Sequence, residues 1–304
     1  MTKKLILAAF ALVLLTGFTT LSDRLMSVNP AAAPSSYTGP GDINSGALVF
    51  YSCGRAYNAA YATALSAACD VVDTATGLTS CTLHFLSTGY VNTTQCNATA
   101  CAVACSISKF YDQSGNANDA TQATLAKMAG LTFSALNGLP CGAGIGSAGT
   151  GGGNLTYTSA NTITQAQPYT STAVAERTGS FTTLQRIIIS DTTGGRIFFA
   201  GSANTISGNS GASVSLTAAD NSPHAMLLVS NSSNPLFAID SSGNTSTSTN
   251  GTNAMSSNEF VMNNGSAPIL SGYFCEGGVW PADLGSSYTT MLANMRSATV
   301  GWNF

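Results

Sequence analysis

Phe110-Tyr111-Asp112-Gln113-Ser114-Gly115-Asn116-Ala117-Asn118-Asp119-Ala120-Thr121-Gln122 is the most informative stretch of this 304-residue chain. A run with β character, Ser106 to Tyr111, stops there at a polar loop. Asp, Ser and Asn side chains bond their own backbone, and Gly115 permits a positive φ, so the chain is expected to turn sharply. Three uses for so many side-chain oxygens stand open. One is a self-bonded turn. The second is a hard-cation site through Asp112, Ser114, Asn116, Asn118 or Asp119, with calcium the fitting ion because it takes about six to eight oxygens. The third is direct contact with a sugar through Asp112, Asn116 and Asn118. The closing Glu of a full calcium loop is missing.

Composition supports a β-rich reading. Charged residues make up 8% of the chain, against roughly 25% in an average domain. Hydrophobic residues are 44%, enough for a core, so Ser, Thr, Asn and Gly must cover the surface. Disordered chains combine polarity with low hydrophobicity, which this chain does not. The net charge is −3 and the basic residues are scattered, so the stripe that nucleic acid requires is missing.

Lys3-Lys4 followed by the apolar run Leu5 to Leu15 has the form of a secretory signal, too short for a stable membrane span. Residues 1–36 are expected to be signal and linker, and 37–304 a single domain that is secreted, periplasmic or on the cell surface. The eight Cys are Cys53, Cys69, Cys81, Cys96, Cys101, Cys105, Cys141 and Cys275. An even count behind an export signal reads as disulfides. Zinc is disfavoured because no CxxC pair exists and His84 and His224 lie far apart in sequence. The pairs Cys53–Cys69 and Cys101–Cys105 are expected; the others are left open.

Short apolar runs separated by polar, Gly-containing breaks predict strands at Cys81–Leu86, Ser106–Tyr111, Leu131–Leu136, Tyr169–Glu176, Leu184–Ser190 and Arg196–Ala200. Further strands are predicted at Ala212–Leu216, His224–Ser230, Leu236–Asp240, Glu259–Asn263 and Gly272–Trp280. That rhythm suits an all-β sandwich or jelly roll. An Ala-rich segment, 54–68, predicts a short helix. Tyr288, Met291, Leu292 and Met295 predict another within Ser286–Ala298. Ala143–Asn154 and 241–258 read as loops.

Gly39-Pro40-Gly41-Asp42-Ile43, Arg55-Ala56-Tyr57, Cys105, Tyr111-Asp112-Gln113-Ser114-Gly115-Asn116-Ala117-Asn118 and Thr121-Gln122-Ala123 resemble the catalytic domain of α-L-arabinofuranosidase B. The remainder is similar to laminin-G-like and concanavalin-like jelly rolls, through His224–Val229, Phe237–Asp240 and Tyr273–Trp280. The resemblance implies a concanavalin-like β-sandwich that removes arabinofuranosyl side chains from polysaccharide by a retaining mechanism, with no required cofactor.

The chain departs from that family where the chemistry sits. The acid-bearing turn reads Met262-Asn263-Asn264-Gly265, without a carboxylate. The nucleophile region, Ser213 to Asp220, offers only Asp220, and the family's vicinal Cys-Cys is missing. Retaining hydrolysis needs two carboxyl groups about 5 Å apart. Glu176 and Glu276, each on a predicted strand, are the candidate pair. Their structural alternatives are a strand-end ion pair of Glu176 with Arg177 or Arg186 and a cross-strand hydrogen bond for Glu276. Trp280 is a candidate sugar-stacking ring, as is Trp302, with core packing the alternative for both. Asp112, Asn116 and Asp119 are the candidate calcium ligands. Two other roles fit the same fold: a lectin-like module for polysaccharide or cell-surface glycan, and a surface or phage-type adhesion module.

Overall fold

The computed structural model describes residues 37–96, 101, 104–144, 156–178, 185–187, 195–200, 202–261 and 270–304. The expected signal and linker, the centre of the Gly-rich segment and the Met262–Gly265 turn lie outside them. A short helix α1 (Pro40–Ile43) precedes β1 (Val49–Ser52), β2 (Ala67–Asp73), β3 (Ser80–His84), β4 (Cys105–Phe110) and β5 (Ala120–Thr121). Then follow β6 (Gly130–Leu136), β7 (Leu139–Gly144), β8 (Thr156–Gln165), β9 (Tyr169–Arg177) and β10 (Gln185–Arg186). The next strands are β11 (Arg196–Phe199), β12 (Thr205–Asn209), β13 (Ser213–Thr217) and β14 (Pro223–Ser230). β15 (Leu236–Ile239), β16 (Thr245–Ser246), β17 (Met255–Val261), β18 (Gly272–Trp280) and helix α2 (Tyr288–Arg296) complete the order.

The fold is an all-β sandwich with antiparallel pairing. One hydrogen-bonded path runs β16-β15-β14-β9-β18-β7-β6-β4-β5-β8-β17, with β1 on β18 and β2–β3 beside β4. A second sheet holds β10-β11-β12-β13. β14 shows why this sequence makes a two-sided central sheet. Its side chains alternate between faces, as any strand's do. Ala225, Leu227 and Val229 join the core beneath α2, with Met291, Leu292 and Met295. Met226 and Leu228 join the larger core on the other face, with Ile197, Phe199, Ile206 and Val214 of the second sheet. Both faces are covered, so the strand reads as a continuous apolar run rather than an alternation.

All eight cysteines pair: Cys53–Cys69, Cys81–Cys96, Cys101–Cys105 and Cys141–Cys275. Both expected pairs are among them. The predicted 54–68 helix does not form. Arg55 makes a β-bridge with Tyr90, the Ala56 N–H bonds Gly89 O, and the Tyr57 N–H bonds the Gln113 side chain. Asn58 Oδ1 accepts the Tyr61 N–H in a turn. The Ala56 and Tyr57 donors are committed to partners distant in sequence, and tertiary contacts override the alanines' helix propensity. The 241–258 segment is likewise not all exposed loop: it contributes β16 and the start of β17, and Asn250 is buried.

Candidate functional site

The Asp112 loop leaves β4 and returns to β5 as a clasp on the N-terminal segment. Asp112 Oδ1 accepts the N–H groups of Phe50 (3.1 Å) and Ser114 (3.0 Å), and Oδ2 accepts that of Asn118 (3.0 Å). Asp119 Oδ1 accepts the Asp112 N–H at 2.8 Å, and Oδ2 pairs with Lys109 Nζ at 2.7 Å. Asn116 Nδ2 donates to Ala47 O and Leu48 O, and Asn118 Nδ2 donates to Leu48 O. Gly115 turns the loop with φ +92° over open space, a conformation that side chains resist.

The bonds expected of a self-bonded turn are all present in this loop. The carboxylate oxygens named as candidate calcium ligands face N–H donors and an ammonium. Among the described residues, no group of three or more His, Cys, Asp or Glu is arranged to hold a metal ion. Replacing Asp112 by Ala strands three N–H groups, in a loop where the residue itself is only 6% exposed. Each unsatisfied buried donor costs about 1–3 kcal/mol, less where water enters. Urea unfolding of Asp112→Ala should therefore show a loss of about 2–3 kcal/mol, and a chelator should leave the wild-type midpoint unchanged. A midpoint that falls on chelation would mean a cation shares these oxygens.

The two candidate catalytic carboxylates lie on adjacent strands in unlike surroundings. Across β9 and β18, Glu176 is opposite Tyr273 and Glu276 is opposite Val174, with a bulge between Phe274 and Glu276. Glu276 is fully buried, and Arg55 grips both its oxygens: Nε to Oε2 at 2.5 Å and Nη2 to Oε1 at 2.7 Å. The remaining guanidinium nitrogen, Nη1, donates to Asn294 Oδ1 and Val300 O. This bidentate pair ties the segment before β2 to the closing strand and the C-terminal residues. Sequence reasoning missed Arg55 as this partner. Its signal was a lone cation inside an Ala-rich run of a charge-poor chain.

Glu176 is different. Among carboxylates whose side chains are described, it alone makes no hydrogen bond or ion pair. Asp220, for instance, is bound by Arg177 and the Asn204 N–H, and Asp240 by His224 and the Ala225 N–H. The expected Glu176–Arg177 pair is thus absent; Arg177 turns to Asp220, Ala200 O and Ser202 O. Partial burial raises the Glu176 pKa, while the nearby His224 pulls it down less strongly. Gly272 packs its Cα against the Glu176 carbonyl, where a side chain would clash.

His224 is held by Asp240 Oδ2 (2.6 Å) and Ala219 O (2.7 Å). Burial alone would lower its pKa, but the Asp240 hydrogen bond and charge outweigh it and raise the imidazole. Trp280 and Trp302 are 1% and 0% exposed and belong to the core beneath α2. The Trp280 indole N–H donates to Asn44 O at 2.8 Å, which fixes the ring as a packing element.

The fold has solved counterparts. An arabinofuranosidase complexed with arabinofuranosyl-α-1,2-xylobiose matches with a TM-score of 0.59 at 18% identity, over 86% of this chain and 65% of that one. A GH54 α-L-arabinofuranosidase soaked with a cyclic sulfate inhibitor matches with a TM-score of 0.58 at 19% identity, over 86% and 66%. The chain thus spans slightly less than two thirds of the length of these enzymes, and at such identities the likeness is one of fold. No family model matches the chain, and no curated protein matches it by sequence.

Proposed function

We propose that this chain is an exported carbohydrate-active protein that binds arabinofuranosyl-bearing polysaccharide without cleaving it. The observation that carries the reading is the Arg55–Glu276 pair on an arabinofuranosidase-like sandwich. The fold supports a glycan as the ligand. The buried, doubly bonded Glu276 argues against the two-carboxylate machinery that retaining hydrolysis requires. Four disulfides support an oxidising compartment, and no helix among the described residues is long and apolar enough to cross a membrane.

Glu176 favours a second reading. A half-buried carboxyl with a raised pKa and no hydrogen bond suits a general acid/base, and points to a hydrolase with a relocated partner. Affinity electrophoresis in arabinoxylan, run beside hydrolysis of p-nitrophenyl α-L-arabinofuranoside, separates the two. Retarded migration with background hydrolysis is the expected result. Hydrolysis that disappears in Glu176→Gln would replace binding with catalysis. A protein that neither binds nor cleaves would end the glycan reading.

A further inference from the structure

The outer side of β2, β3 and β4 carries a feature that no part of the reading above uses. Asp70, Ser80, Cys81, Thr82 and Ser108 line an open cavity of about 400 Å³. Ligand sites commonly fall between about 300 and 1,000 Å³. The lining combines three hydroxyl residues and the disulfide-bonded Cys81 with one carboxylate, an unusual wall in a chain with so few charges.

The register explains how the cavity arises. β2 and β4 pair Asp70 with Lys109 and Val71 with Ile107, so Ser108 is the extra residue of a bulge. Bulges break the ladder and re-aim side chains. Ser108 Oγ turns to Asp70 O at 3.3 Å. Thr82 Oγ1 donates to Asp70 Oδ1 at 2.6 Å, and the Tyr111 hydroxyl bridges both carboxylate oxygens at 3.2 and 3.1 Å. Lys109 Nζ sits 4.0 Å from the Tyr111 ring centroid and is itself held by Asp119. The wall is therefore fixed before any ligand arrives, which lowers the entropic cost of binding.

Among the described residues, the Tyr111 hydroxyl is the one partner of Asp70 Oδ2, which retains acceptor capacity. Ser80 offers a hydroxyl that can donate and accept, and Ser108, whose proton goes to Asp70 O, offers an acceptor. The Asp70 charge disfavours a phosphate or carboxylate ligand. A hard cation would want more oxygen ligands than one carboxylate and its neighbours supply. A neutral polyol with adjacent hydroxyls matches what remains.

We propose that the Asp70–Ser80–Thr82–Ser108 cavity is a binding subsite for a neutral sugar unit of the polysaccharide, separate from Glu176 and from the Asp112 loop. The proposal rests on the glycan-binding reading. Ser80 is exposed at the start of a strand that pairs with β2, so Ser80→Trp puts a bulky ring at the cavity wall with a residue strands accept.

The test titrates an arabinoxylo-oligosaccharide into wild-type protein, Ser80→Trp and Asp70→Asn by calorimetry, with thermal unfolding of each. At least a tenfold loss of affinity in Ser80→Trp, with an unchanged Tm, is expected. A smaller loss in Asp70→Asn should accompany it. Full affinity in Ser80→Trp would overturn the subsite while leaving the glycan reading intact. No binding by the wild type would overturn both.

Discussion

Arg55→Ala should cost this protein about 3–5 kcal/mol of unfolding free energy, because it strands a charge that water cannot reach. Glu276 is completely buried, and both its oxygens end on Arg55. Asn294 Oδ1 and Val300 O lose their donor in the same substitution. Glu276→Gln should behave similarly, since it leaves the guanidinium buried without its counter-charge. Removing both charges is a different experiment. Buried ion pairs contribute little net stability against apolar residues of similar size. The double variant Arg55→Met, Glu276→Met should therefore be more stable than either charge-stranding single variant. Urea midpoints of the wild type, Arg55→Met, Glu276→Met and this double variant form the cycle. Additive losses would mean that the two side chains are not the coupled unit described above. A mainly catalytic Glu276 would predict another pattern: stability kept in Glu276→Gln, with activity lost.

How much of this was legible in the sequence depends on where the information sits. β9, β14 and β18 carry apolar runs bounded by polar breaks, and Gly272–Trp280 was predicted with the bounds that β18 has. β8, Thr156–Gln165, went unseen because it is mostly Thr, Ser, Asn and Gln, with Tyr157 and Ile163 as its buried apolar contacts. β1 went unseen because it is only four residues long, at the lower limit at which a strand pattern can be read. The 54–68 segment misled for the opposite reason: its alanines favour helix locally, and the bonds that overrule them come from Gly89, Tyr90 and Gln113.

The site suffers the same limit more severely. Glu176 and Glu276 could be named from residue type, but their contrast lies in a partner 221 residues from Glu276. The Asp70 cavity depends on a one-residue bulge at Ser108, and no composition or spacing announces a bulge in a short polar strand. The Asp112 turn was legible because its bonds are partly local: Ser114 and Asn118, which donate to Asp112, belong to the same loop.

The Cys141–Cys275 bridge should be the most stabilising of the four disulfides. It closes a separation of 134 residues, against 4 for Cys101–Cys105. Chain-entropy arguments give about 5 kcal/mol for a loop of that size and about 2 kcal/mol for the small one. Replacing both cysteines of the long bridge by Ala should lower the urea midpoint far more than the same change at Cys101 and Cys105. Equal losses would mean that the unfolded chain is not constrained as loop closure supposes. Native geometry adds a second consequence. Cys275 is the extra residue of the β18 bulge, since Phe274 faces Ala175 and Glu276 faces Val174. The bulge turns Cys275 toward Cys141 and immediately precedes the carboxylate that Arg55 holds. Bridge and ion pair thus fix neighbouring residues of one irregular strand. Combining the disulfide deletion with Glu276→Gln should give a loss that differs from the sum of the two, because each restrains the backbone on which the other depends. Strict additivity would show that the bulge is held by its strand neighbours alone.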